Sequence, residues 1–247
     1  MQGGCPLLPS RARRPAAVIA VCCVVLTLVL AVLTAHTSHP GPLDAAVDSW
    51  IQRVVGAHRR ILHLVEDVGE PTEVALLTLA IVLACLAFRR VNGAVLTVLS
   101  VAMSVVLTEA VLKPIVGRTL NGYHVYPSGH TGLAFTLAAV IVVVLLNPPG
   151  NRLHRPLKIA IAAVAALVSS AVAVAMIGLS YHYFTDTVGG AALAIGVVLT
   201  ISFLLDTEGV RRRLRIAGIG HRPAPVTEGT EPDVTSSSRS ATPKGRS

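Results

Sequence analysis

The chain has 247 residues, 53% of them hydrophobic and 14% charged, with a mean hydropathy of +0.68, which argues against a soluble globule and for a membrane protein. The formal net charge of +8 does not describe a nucleic-acid-binding face, because the basic residues gather at Arg11 to Arg14, Arg89 to Arg90, Arg152 to Lys158 and Arg211 to Arg215, each beside an apolar run. The four cysteines, Cys5, Cys22, Cys23 and Cys85, have no metal-type spacing and imply neither a disulfide framework nor a zinc site.

In chain order, a basic tail over residues 1–15 precedes a first apolar run, Ala16 to Ala35, long enough to be a retained membrane helix rather than a cleaved signal. Further runs follow at Val74 to Phe88, Val91 to Leu112, Thr131 to Leu146, Leu157 to Leu179 and Thr187 to Leu205. Each approaches the ~20 residues that a helix needs to cross the hydrocarbon core. The expected fold class is therefore all-α, a six-transmembrane-helix bundle over residues 16–207. With six spans, all four basic clusters share one face, which the positive-inside rule makes cytoplasmic, so both termini are expected there. Short loops and the lack of organelle signals point to a bacterial inner membrane. From about Ile216, Pro, Thr, Ser, Gly and charge replace the apolar pattern, so residues 208–247 read as a basic, then disordered, cytoplasmic tail.

The opposite face receives the segment from Ala35 to Thr72, which carries Asp44, Asp48, Glu66, Asp67 and Glu70. Within it Val47, Trp50, Ile51 and Val54 fall on one helical face, with Asp48, Gln52 and Arg53 elsewhere on the wheel, the pattern of an extracytoplasmic amphipathic helix at the interface. Covering the outer ends of the bundle accounts for such a helix without a role in substrate binding.

Polar chemistry concentrates in three clusters on that face. The first is Lys113-Pro114-Ile115-Val116-Gly117-Arg118, whose two cations suit the negative charge of a phosphoryl group in a partly dry site. Taken alone, the same two side chains are better explained by snorkelling from a helix end. Glu109, four residues before Lys113, shares its helical face and reads as the partner that neutralises it, with a direct catalytic role as the alternative. The second cluster is Pro127-Ser128-Gly129-His130 at the start of a span. Ser128 suits a helix cap, Gly129 admits close approach of a ligand, the first-turn N–H groups attract an anion, and His130 stands where an imidazolium can protonate a leaving group. The third is His182-Tyr183-Phe184-Thr185-Asp186. If that turn is helical, Asp186 accepts a hydrogen bond from His182 and leaves the other ring nitrogen free to attack phosphorus; the spacing equally serves a structural pair. No cysteine or carboxylate set matching the histidines is evident, which makes a metal site the weaker reading.

In this order the clusters resemble the type 2 phosphatidic acid phosphatase, or lipid phosphate phosphatase, superfamily, marked by K-x6-R-P, then P-S-G-H, then S-R-x5-H-x3-D. The resemblance covers about Asp44 to Leu205. It implies His182 as the nucleophile that forms a phosphohistidine, Asp186 as its orienting partner and His130 as general acid. Lys113, Ser128 and Gly129 would hold the phosphate oxygens, Arg118 would be the guanidinium left at the site, and neither a metal nor another cofactor is expected. The substrate implied is a lipid phosphate or diphosphate in the bilayer: phosphatidate, phosphatidylglycerophosphate or a polyprenyl phosphate. Two departures stand out. The R-P of the first motif falls on Leu120 and Asn121, and the S-R of the third on Ala175 and Met176. That leaves a smaller or less charged phosphate site, another donor such as His124 or Tyr126, or reduced activity; the rival readings are a phosphotransferase using the same histidine and a non-catalytic lipid-phosphate binder or transporter.

Overall fold

The computed structural model describes residues 6–146 and 154–207. Cys5, Arg152 and the tail from Glu208 onward, with Arg211 to Arg215, lie outside the described residues. The elements are α1 (Ser10–Thr34), α2 (Pro42–Val55), α3 (Arg59–Glu66), α4 (Pro71–Ala87), α5 (Val91–Val105), a π-helical segment (Val106–Leu112), α6 (Lys113–Val116), strands β1 (Thr119–Leu120) and β2 (Tyr123–His124), α7 (Gly129–Leu146), α8 (Arg155–Gly178) and α9 (Phe184–Leu205).

Among the described residues, five helical rods are long and apolar enough to cross a membrane: Ser10–Thr34, Val91–Val116, Gly129–Leu146, Arg155–Gly178 and Phe184–Leu205. The short α4 is bent by 50° from the helical stretch Pro42–Gly69, and the number becomes six if that pair forms one span. Thus the expected apolar runs all become helices, with α1 starting six residues earlier than its apolar pattern, inside the segment expected to be a tail. Leu7 and Leu8 are buried in the same core as Val140, Val143 and Leu205, and their amides donate to the Asp206 carboxylate at 2.7 and 3.0 Å, which ties the start of the chain to the far end of α9.

Helix α9 is the centre of the bundle, packed against α1, α5 and α7 and touched by α2 and α8. Small residues allow this. A Cβ on Gly190 would stand 2.5 Å from the Ser128 carbonyl oxygen, and one on Gly189 would overlap the Tyr126 ring at 2.6 Å. In lipid, helices gain little from burying apolar surface and associate through close packing and interhelical hydrogen bonds. Such bonds include Ser104 to Thr136 Oγ1 at 2.9 Å between α5 and α7, and Ser169 Oγ to the Ala134 carbonyl at 3.0 Å between α8 and α7.

The third span departs from an ideal helix. Pro114 offers no N–H and would press on the carbonyl four residues earlier, and the preceding turns widen to i→i+5 bonding, with the Lys113 amide returning to the Thr108 carbonyl. The chain then turns at Gly117 (φ +59°) into a two-residue antiparallel ribbon in which Thr119 opposes His124 and Leu120 opposes Tyr123. This small ribbon lies in the loop between α6 and α7 and leaves the fold all-α. Its turn holds Asn121 at φ +52° and Gly122 at φ +85°, a left-handed pair that proline could not form.

Helix α2 turns its acidic side chains toward the bundle. It buries Asp44, Asp48 and Ile51 and exposes Leu43, Trp50 and Val54, so the carboxylates face inward. The reason is the N-terminus of α9, whose unpaired amides attract anions. Phe184 N–H donates to Asp48 at 3.0 Å and Thr185 N–H to Asp44 at 2.9 Å, while Tyr183 N–H is taken by Asp186 at 2.9 Å. Burial pushes the Asp48 carboxyl up from 3.8 to about 6, with the Phe184 amide opposing and Asp44 and Asp186 adding to the rise. Burial also acts against ionisation of Asp44, but hydrogen bonds from Arg118 and Thr185 outweigh it and hold that carboxyl below its usual range.

Two expectations follow from this packing. Gly190→Ala should lower the thermal midpoint by several degrees and reduce the yield of monodisperse protein in detergent, since overpacking against backbone costs about 1–3 kcal/mol; an unchanged midpoint would show that α7 and α9 can separate. Because the folded-state pKa of Asp48 is raised, its ionisation opposes folding: the native protein holds a proton that the unfolded chain releases between pH 3.8 and about 6, and stability is lost as pH rises through that window. Asp48→Asn keeps an acceptor for Phe184 and removes the penalty. It should match the wild type near pH 4 and exceed it above pH 6.5 by on the order of 1–2 kcal/mol, allowing for partial solvent screening. Parallel pH profiles in thermal unfolding would refute this.

Candidate functional site

The second and third sequence clusters meet at one end of the bundle. The Ser128 amide donates to the Asp186 carbonyl at 3.0 Å, backbone to backbone, at the point where Gly190 lets α9 approach. Ser128 itself is fully buried and its hydroxyl donates to Thr131 Oγ1 at 3.1 Å, so both of its donors are used within the protein. Gly129 opens α7, with its first-turn amides at the positive end of the helix dipole. Beside it, Lys113 Nζ is held by both oxygens of Glu109 at 2.7 and 2.8 Å, the pairing expected from their spacing.

His130 follows Gly129 in the first turn of α7 and is partly exposed; its Nε2 lies 3.1 Å from Glu70 Oε1. Glu70 precedes α4, and Gly69 lies so close to the His130 Cβ that an added methyl would stand 3.0 Å from it. Glu66 is nearby, bonded to His63 Nδ1 at 3.1 Å. Glu66, Glu70 and His130 can each bring one ligand atom within 4.8 Å of the others. This corrects the expectation that no carboxylate set accompanies the histidines: the carboxylates arrive from some sixty residues earlier in the chain, a distance that motif spacing does not register. Two carboxylates and an imidazole are a donor set that suits a divalent cation.

His182 lies just outside α9, which begins at Phe184, so the one-turn spacing to Asp186 does not run along a helix. Its Nδ1 is buried, has no hydrogen-bond partner, and stands 3.8 Å from Asp186 Oδ2, beyond hydrogen-bond reach. Both Asp186 oxygens are engaged elsewhere, one by Arg118 at 2.5 Å and the other by the Tyr183 amide at 2.9 Å.

Arg118 is placed differently from the expectation that it faces phosphate. It is 1% exposed, donates to Asp186, to Thr185 Oγ1 at 2.7 Å and to Asp44 at 2.6 Å, and lies 4.3 Å above the Tyr183 ring. Two carboxylates neutralise it in the interior. Tyr126 is also fully buried, with its hydroxyl donating to the Thr27 carbonyl at 2.6 Å, which removes it as a phosphate donor; His124 is exposed on β2. Where the superfamily's arginines would stand, Leu120 pairs in the β-ribbon and Met176 is fully buried in α8. The residues that sequence reasoning missed are Asp44, Asp48, Thr185 and Glu70. The available signal was the phase of Asp44, Asp48 and Ile51 on one helical face, overshadowed by the more apolar stripe beside it.

Comparison with known proteins gives two findings. The PAP2 superfamily model matches residues 115–208, which include Ser128 to His130 and His182 to Asp186. A crystal structure described as the first transmembrane PAP2 type phosphatidylglycerolphosphate phosphatase from Bacillus subtilis aligns with a TM-score of 0.61 at 18% identity, over 75% of this chain and 94% of that one. No curated protein sequence matches significantly. At this identity the structural likeness carries the fold, an all-α membrane bundle that crosses the bilayer several times. The stretch similar to the PAP2 superfamily thus lies across the two clusters that the bundle joins.

Proposed function

We propose that this protein is a lipid phosphate phosphatase that acts through a phosphohistidine at the extracytoplasmic face of the cell membrane. The observation that carries the reading is the backbone bond between Ser128 and Asp186, which joins the P-S-G-H helix start to the histidine-bearing loop at one end of the bundle. That end is opposite the basic residues Arg13, Arg89, Arg90, Arg155 and Lys158, as the positive-inside rule requires if both termini are cytoplasmic. The exposed apolar side chains Leu43, Trp50 and Val54 of α2 suit a helix lying at the interface above the bundle.

In this mechanism Nε2 of neutral His182 attacks phosphorus while the bond from phosphorus to the lipid oxygen breaks, and His130 gives its proton to the departing oxygen. Water, surrendering a proton to His130, then attacks phosphorus as the bond from phosphorus to His182 Nε2 breaks, which releases phosphate and the free histidine. Lys113 and the first-turn amides of α7 hold the phosphoryl oxygens. The 3.8 Å between His182 and Asp186 shortens to a hydrogen bond as positive charge develops on the ring, since catalytic contacts are often long in the unliganded state. Glu70 Oε1, 3.1 Å from Nε2 of His130, orients the ring for the acid step. Phosphatidate, phosphatidylglycerophosphate and polyprenyl phosphates or diphosphates all leave their chains in the bilayer while the headgroup reaches Lys113.

Purified protein in detergent with EDTA should release phosphate from at least one of these lipids. His182→Ala should reduce the rate by about 10³-fold or more, because a nucleophile's removal leaves only binding and electrostatic assistance. Activity abolished by EDTA and restored by a divalent cation would instead assign the Glu66, Glu70 and His130 cluster to the reaction. Phosphoryl transfer only in the presence of an alcohol acceptor would make it a transferase, and loss of the reaction altogether, with binding retained, a lipid-phosphate binder.

A further inference from the structure

The phosphate subsite of the proposed reaction already holds an anion supplied by the chain. Glu109 projects from the π-helical segment before Lys113, and both of its oxygens lie within 2.8 Å of Lys113 Nζ. The same carboxylate lies over Gly129: a Cβ built there would meet Glu109 Oε1 at 3.0 Å. It therefore sits between a lysine ammonium and the first residue of a long helix, the two positive features assigned to phosphate binding. Gly129 has no side chain where the carboxylate lies.

The rest of the site sharpens the consequence. Arg118 is saturated by Asp44 and Asp186, and Leu120 and Met176 stand where further guanidinium groups would be. Lys113 is thus the cation through which a phosphate gains charge-assisted bonds at this helix end, and its charge is balanced before any ligand arrives. The Glu109 side chain is 51% exposed and Lys113 20%, so the carboxylate can swing away from Lys113 without unpacking the bundle.

We propose that Glu109 is a resident occupant of the phosphate subsite, displaced from Lys113 and Gly129 when a phosphate binds. The inference deepens the phosphatase reading and rests on its assignment of Lys113 and Gly129. The affinity measured for a phosphate is the difference between its hold on Lys113 and that of Glu109, because a ligand that must displace a competing group binds only as well as the competition allows. The subsite thereby discriminates in favour of a phosphate dianion, whose greater charge outcompetes a carboxylate, over singly charged headgroups.

The test uses the full chain in detergent and inorganic phosphate as the probe, with binding measured by equilibrium uptake of radiolabelled phosphate and, separately, phosphate inhibition of lipid hydrolysis. Glu109→Gln should tighten phosphate about tenfold. Asp67→Asn, which removes an equal charge from the outer segment without touching Lys113, should change it less than twofold. In a Lys113→Met background the effect of Glu109→Gln should vanish, since the carboxylate acts through the lysine. Unchanged or weaker binding in Glu109→Gln, an equal gain in Asp67→Asn, persistence of the gain without Lys113, or no measurable binding by either protein would each overturn the proposal. The two readings fail separately: hydrolysis without the Glu109 effect removes this inference alone, whereas tightened binding in a protein that hydrolyses none of the lipids removes the phosphatase reading and leaves an anion site gated by Glu109.

Discussion

Arg118 is wholly buried between Asp44 of α2 and Asp186 of α9, and the rest of the site is arranged around that ion pair. A guanidinium in this environment is tolerated only because two carboxylates, the Thr185 hydroxyl and the face of Tyr183 surround it. Its Nε has no partner, so the node is not fully satisfied. Removing Arg118 would leave two buried carboxylates without a counter-ion, so the guanidinium binds the elements that supply them to one another. Asp44 serves twice, as counter-ion to Arg118 and as acceptor for the Thr185 amide, and so couples the node to the start of α9.

From that node the geometry of the chemistry follows. With α9 fixed at its first turn, the loop before it carries His182 at the edge of the interior, and the Asp186 carbonyl receives the Ser128 amide. Gly190 of α9 then lets the start of α7 pack against it, and the first turn of α7 presents His130 toward Glu70. The end of the bundle that carries His130 and His182 thus contains several acids, Glu66, Glu70, Glu109 and Asp186, while Lys113 and Arg118 are already paired. That balance separates this chain from a site built on two additional arginines, and it makes the fate of Lys113 decisive for any anion that binds.

The substitutions at the arginine positions are structural as well as chemical. Leu120 sits in a strand, and the adjoining Asn121-Gly122 turn requires left-handed backbone angles, so the segment has a conformation that the arginine-proline pair of the superfamily pattern would not adopt. Met176 lies in the tightly packed end of α8, whose neighbouring Ala175 packs with Leu62 and Leu179, and its carbonyl receives the Tyr181 and His182 amides that shape the histidine loop. Both places are occupied by packing that fits the residues present.

The amino-acid sequence determined the helical spans, the three polar clusters and the Glu109 to Lys113 pair, because apolar run length, helix-terminal residue types and four-residue spacing are local properties with short-range causes. Only the tertiary structure decided which face of α2 turns inward, since the amides of α9 that attract Asp44 and Asp48 lie some 140 residues away and outweigh the apolar stripe of Trp50 and Val54. It also decided that Arg118 is an interior counter-ion rather than a phosphate ligand, that Ser128 spends its donors on the protein, that Glu66 and Glu70 gather beside His130, and that Glu109 rests on Gly129. Each of these depends on which distant group neutralises a charge or satisfies a buried donor, a choice made by chain topology and invisible in the order of residues.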